Sequence, residues 1–205
     1  MLDVNPAARG DAMIAVGNAR FTVLTERLIR LEYDPEGHFE DRPTQTVWYR
    51  QQPVPAFDLK RTDTQVSIET EAFSLRYQCG KAFTPETLTI RIKPVDTMWR
   101  PGDRDSGNLK GTTRTLDYVN GCTPLNEGLI SRSGWALLDD SQSFAFNQDH
   151  WLEPRAGSQT DWYFFAYGRD YKAGLRDYCA ISGDIPLIPR WFWVTGGPLL
   201  GLYRG

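Results

Sequence analysis

Polar and apolar residues alternate strictly in Val66-Ser67-Ile68-Glu69 and again in Phe73-Ser74-Leu75-Arg76-Tyr77. A period of two places one set of side chains on a core and the other in water, so both runs predict half-buried strands. The pattern returns in Leu88-Thr89-Ile90-Arg91-Ile92, and the apolar run Trp135-Ala136-Leu137-Leu138 predicts a strand as well. Segments 21–25, 28–33, 56–60 and 161–167 are short and rich in β-branched or aromatic residues, with turn-forming or charged residues between them. They too predict strands, and strands then fill most of the chain up to residue 167.

Two stretches break the pattern. From Met98 to Glu127 the chain is polar, and Pro101, Gly102, Gly107, Gly111 and Gly121 punctuate it without apolar periodicity. This reads as a long structured loop, the kind of element on which a rigid sheet displays binding groups. The other stretch predicts a helix over 171–181: Asp170 can cap it, Tyr171, Leu175, Tyr178 and Ile181 fall near one face, and Gly183 with Pro186 ends it. Pro186 and Pro189 then space an extended connector. The organisation expected is an all-β sandwich over residues 1–182, with one C-terminal helix, and a connector over 183–205 leading into something else.

Eighteen glycines and thirteen prolines supply the turns such a fold needs. The 23 Lys and Arg against 26 Asp and Glu give a formal charge of −3, interleaved along all 205 residues. That balance offers no electrostatic footprint for nucleic acid or an anionic membrane. No run approaches the roughly 20 apolar residues that span a bilayer, and residues 1–10 lack a basic start followed by an apolar core. The expected location is cytoplasmic, without export. Cys79, Cys122 and Cys179 stand 43 and 57 residues apart, which is neither a metal spacing nor an even disulfide set, so three reduced and partly buried thiols are expected.

Candidate chemistry is sparse. With His38 and His150 as the whole histidine supply, a histidine triad or multi-histidine metal site has little material. The sequence thus calls for no metal and no cofactor. Asp139 and Asp140 are neighbours in a strand-end context and point to opposite faces, so they cannot serve one substrate atom; a turn after residue 138, capped by Asp140 and Ser141, is expected instead. Gly107-Asn108-Leu109-Lys110-Gly111 lacks the spacing and following helix of a phosphate loop.

Three segments carry a family likeness. Gly128-Leu129-Ile130-Ser131-Arg132-Ser133-Gly134-Trp135-Ala136-Leu137-Leu138-Asp139-Asp140-Ser141, preceded by Asn108-Leu109-Lys110-Gly111-Thr112-Thr113-Arg114-Thr115-Leu116-Asp117, resembles the N-terminal domain of glycoside hydrolase family 31, the α-glucosidase and α-xylosidase family. Residues 161–171, 175–178 and 183–191 look like the stretch that leads this family's sandwich into its catalytic (β/α)8 barrel, and residues 20–33 are similar to its opening hairpin. The resemblance implies a galactose-mutarotase-like supersandwich that packs on a barrel and lends a loop to the mouth of a sugar pocket. In the family, two barrel aspartates act as nucleophile and acid/base in retaining hydrolysis. Both are expected beyond residue 205, leaving this chain with no catalytic residue of its own.

On that reading the partners are the catalytic barrel and, in the full enzyme, an α-linked oligosaccharide. Arg114, Asp117 and Asn120 are the candidate sugar-facing residues, because an arginine and a carboxylate close together suit vicinal hydroxyls. Each has a plainer reading as a loop-internal ion pair or turn cap. Two other classes are open: a free-standing carbohydrate-binding sandwich, and a sugar epimerase on the same scaffold, for which the histidine supply is poor. After Trp191 the likeness stops, and the tail Phe192 to Gly205, with Pro198, Gly196, Gly197 and Gly201, is expected to be frame-shifted coding sequence that is disordered or loosely packed.

Overall fold

A computed structural model describes residues 4–111, 118–155 and 159–184. In chain order the strands are β1 (Met13–Val16), β2 (Ala19–Val23), β3 (Leu28–Tyr33), β4 (Asp58–Arg61), β5 (Gln65–Glu69), β6 (Phe73–Gln78), β7 (Leu88–Ile92), β8 (Thr97–Trp99), β9 (Ala136–Asp139), β10 (Ala145–Phe146), β11 (Leu152–Glu153) and β12 (Thr160–Phe165), followed by helix α1 (Tyr171–Ser182). They form two five-stranded antiparallel sheets, ordered β1-β2-β3-β12-β9 and β4-β5-β6-β7-β8, beside a small β10-β11 hairpin. The all-β sandwich is as expected.

Alternation sets the second sheet. Val66, Ile68, Phe73, Leu75, Tyr77, Leu88, Ile90 and Ile92 are buried, and the residues between them face outward. They meet Phe21, Val23, Ile29, Leu31 and Phe164 of the first sheet in one core. Trp99 closes it from β8, with its ring 4.8 Å from Phe164, while Trp135 stacks on Phe164 with an interplanar angle of 15°. Full burial of a side chain this large contributes about 1.5–3 kcal/mol, so this cluster anchors the two layers.

The central strands of the first sheet are buried on both faces. Every residue of β2 is buried, as is all of β3 up to Glu32. Its outer face splits into an apolar end (Leu24, Leu28, Phe165, Val47, Ile181) and a charged end. At the charged end Arg30 makes two 2.7 Å hydrogen bonds to Asp161, which also accepts one from Arg155 at 2.7 Å. Arg20 grips Glu32 at 2.7 and 2.9 Å. Arg50 donates to the Tyr163 hydroxyl at 2.6 Å and to the Arg42 carbonyl at 2.8 Å, pinning the covering segment to the sheet.

α1 confirms its cap and corrects its face. Asp170 accepts from the Ala173 N–H at 3.0 Å, and the chain leaves the helix through Gly183 at φ +94°. The buried residues, however, are Ala173, Gly174, Asp177 and Ile181, with Leu175 exposed. Gly174 explains the rotation: a Cβ there would stand 2.7 Å from the Tyr167 ring, so only glycine admits this approach. Asp177 then turns inward to Arg27 and Thr25, both at 3.1 Å. Cys122 is exposed, against the expectation of partial burial, because it lies in the polar loop and not in a strand. Residues 185–205, and with them all of the expected connector and tail beyond Asp184, lie outside the described residues. No described helix is long and apolar enough to cross a membrane.

Candidate functional site

The long loop leaves β8 through a tight turn. Pro101 fixes one central position and Gly102 takes φ +90° at the next; the Asp103 N–H donates to the Arg100 carbonyl at 3.0 Å, and the Asp103 carboxylate accepts from the Arg100 N–H at 2.8 Å. The chain then enters a stem in which two passes of the loop are tied together. The Leu109 N–H donates to the Ile130 carbonyl at 3.0 Å, and the Arg132 N–H to the Gly107 carbonyl at 2.9 Å.

Side chains lock that stem from inside. Buried Asp105 accepts from the Gly107 N–H (3.1 Å), Ser131 Oγ (2.8 Å) and Asn108 Nδ2 (3.2 Å). The Asn108 amide reaches across, donating to the Gly128 carbonyl at 2.8 Å and accepting from the Gly128 N–H at 2.9 Å. Below them the Tyr167 hydroxyl accepts from the Ser131 N–H at 2.7 Å and lies 2.9 Å from the Leu129 carbonyl. Burial pushes the Tyr167 hydroxyl pKa upward, so it stays protonated and neutral. A Cβ at Gly107 would meet Ser133 Oγ at 2.6 Å and Ser133 N at 2.9 Å, so the close pairing depends on glycine here. These bonds tie residues 105–109 to residues 128–132.

Of the three residues singled out on the sequence, Asn120 is exposed, between exposed Val119 and Gly121 at φ +88°. Arg114 and Asp117 lie outside the described residues. At the root of the loop a cleft of about 410 Å³ opens between the stem, β9 and α1, with Asp103, Glu127, Leu129, Leu137 and Tyr178 among its lining residues. The sequence could not reveal it, since its walls come from positions 103 to 178. Among the described residues no group of three or more His, Cys, Asp or Glu could hold a metal ion.

The two adjacent carboxylates take separate environments, as alternation requires. Asp140 is buried and accepts from Thr44 Oγ1 at 2.7 Å, whereas Asp139 is exposed. The turn that follows is capped by Asp139 and not by Asp140: Asp139 Oδ1 accepts from the Ser141 N–H at 3.0 Å. His38 and His150 are both exposed.

No protein-family model matches the chain. Nor does any curated protein. Among solved structures the chain is similar to a glycoside hydrolase family 31 dextranase of Flavobacterium johnsoniae, in a mutant form complexed with isomaltotriose and in a complex with glucose, each at a TM-score of 0.52 and 16% identity. The likeness covers 85% of this chain and 27% of the dextranase chain. The chain therefore shares the fold of about a quarter of a family 31 glycoside hydrolase.

Proposed function

We propose that this chain is the accessory β-sandwich of a family 31 α-glycosidase, which supports a catalytic barrel and presents the 110–127 loop to its sugar pocket. The observation that carries the reading is the sandwich shared along 85% of the chain with a dextranase of which it spans 27%. The loop's tied stem adds to it, because a contributor to another domain's pocket needs a fixed base. On this reading Arg114, Asp117 and Asn120 are the sugar-facing residues, the substrate of the complete enzyme is an α-linked oligosaccharide, and the working location is the cytoplasm.

Hydrolysis would belong to the barrel. Retaining hydrolysis needs two carboxyl groups about 5 Å apart across one glycosidic bond. Asp139 and Asp140, the adjacent pair, are instead committed to a turn and to Thr44. The test is a titration of the purified chain with glucose and isomaltotriose, followed by NMR. An accessory sandwich gives no saturable shifts at millimolar sugar, whereas a free-standing carbohydrate-binding sandwich gives them at the 110–127 loop and would displace this reading.

A further inference from the structure

The edges of the two sheets are not equivalent. β4, at one edge of the second sheet, is exposed along its length and carries Lys60 and Arg61, the usual way of blunting an edge against added strands. β9, the edge of the first sheet, reads Ala-Leu-Leu-Asp and has no such guard.

The hydrogen-bond phase of β9 follows from its ladder. Asp140 N–H donates to the Asp161 carbonyl at 2.9 Å, and the register pairs Leu138 with Tyr163 and Ala136 with Phe165. Antiparallel pairs alternate in type, so the even-numbered residues direct their backbone groups to β12. The N–H and C=O of Leu137 and Asp139 consequently point away, to the open edge. None of these four groups makes a hydrogen bond among the described residues. One position earlier the edge is closed, because the Tyr167 hydroxyl lies 3.1 Å from the Trp135 carbonyl.

The cleft runs along this open edge. Four consecutive residues, Trp135 to Leu138, line it, which is the signature of a strand edge and not of a strand face. Half-buried Leu129, Leu137 and Tyr178 offer apolar contact, and exposed Asp103 and Glu127 also line the cleft, with Arg104 as the one basic residue among the described lining residues.

We propose that the β9 edge is a docking site for an extended, basic polypeptide segment of a partner protein, which adds as a sixth strand through Leu137 and Asp139 and sets a Lys or Arg against Asp103 and Glu127. Main-chain bonds supply the affinity in this mode, and the flanking pockets supply the choice of side chain. The site is independent of any sugar role for the neighbouring loop.

The test is fluorescence anisotropy of a labelled acetyl-Val-Arg-Val-Lys-Val peptide with the full chain at low salt. Saturable binding is expected. Leu137→Pro removes an outward N–H together with the half-buried leucine side chain and leaves the backbone bonds to β12 in place, so it should weaken binding about tenfold. The same peptide N-methylated at alternate residues should lose as much against the unaltered chain, which decides the matter even if the proline variant folds poorly. Glu127→Gln should weaken binding about threefold, an effect erased by high salt. Absence of saturable binding overturns the proposal. So does binding that survives both Leu137→Pro and N-methylation, which would be charge attraction alone, and so does displacement by isomaltotriose, which would make the cleft a sugar site.

Discussion

The two sheets of this sandwich solve burial differently. In β5, β6 and β7 every second residue is apolar and buried, and the residues between are half-buried or, like Arg76 and Arg91, exposed. In β2, β3 and β12 the residues between are buried too, and they include Arg20, Thr22, Arg30, Glu32, Asp161 and Tyr163. An arginine at an alternate strand position thus has opposite meanings in the two sheets. Position in the pattern does not distinguish them. What does is a second layer: segment 34–57, the β10-β11 hairpin and α1 cover the first sheet, while the outer face of the second meets water. A buried charge must then find its opposite at hydrogen-bond distance, and Arg30 and Asp161 do so with two parallel bonds.

That contrast breaks most sharply at the two arginines and their partners. Asp161→Asn leaves Arg30 and Arg155 buried without their shared anion and should cost about 3–5 kcal/mol of unfolding free energy. Arg76→Ala, at an equivalent alternate position of the second sheet, should change it by no more than about 0.5 kcal/mol. Urea unfolding of both variants measures the difference. Equal losses would mean that the covering layer does not seal the first sheet.

Tyr167→Phe probes the place where the sandwich meets the loop. It removes the acceptor of the Ser131 N–H inside the stem, and an unpaired buried donor costs about 1–3 kcal/mol. Amide hydrogen exchange should speed up at Ser131 and at Leu109, whose N–H crosses the stem to Ile130. Unchanged exchange at both would show that the stem does not depend on this hydroxyl.

The smallest effect is in the pH dependence, where two of the buried carboxylates, Asp161 and Glu32, oppose one another. Burial alone would raise the Asp161 carboxyl, but Arg30, Arg50 and Arg155 hold it well below the usual range. Its contribution is therefore present above about pH 4 and is lost as pH falls toward its folded value. Glu32 is raised, because burial and the neighbouring Asp161 charge outweigh Arg30 and Arg20. Its contribution is present below about pH 4 and lost as pH rises through its raised folded value. Urea midpoints of the unaltered chain should therefore decline as pH rises above the ordinary carboxylate range at fixed ionic strength, and Glu32→Gln should lessen that decline, leaving the part due to Asp177, whose carboxyl burial also raises. The same slope in the variant would contradict this assignment.

Legibility followed the same division. The strict alternations at 65–69, 73–78 and 88–92 named their strands and their buried faces, because one side of that sheet is wet. β2, β3 and β12 were legible as strands from their β-branched and aromatic content, but their buried charges were not, since a charge in a strand ordinarily marks the water side. β1 and β8 are only four and three residues long, too short for a period to declare itself. The helix face was misread at Leu175, because the close approach of Gly174 to Tyr167 outweighed the apolar spacing. The loop was legible from its glycines and prolines. Its cleft was not, because distant segments build it.

The family 31 reading makes its most exposed commitment in catalysis. Purified chain, incubated with aryl α-glucosides and aryl α-xylosides, should release no aryl alcohol above a blank, and Asp139→Asn and Asp140→Asn should leave that blank unchanged. Turnover by the pure chain that is abolished by either substitution would place a working carboxylate pair within the sandwich and contradict the account.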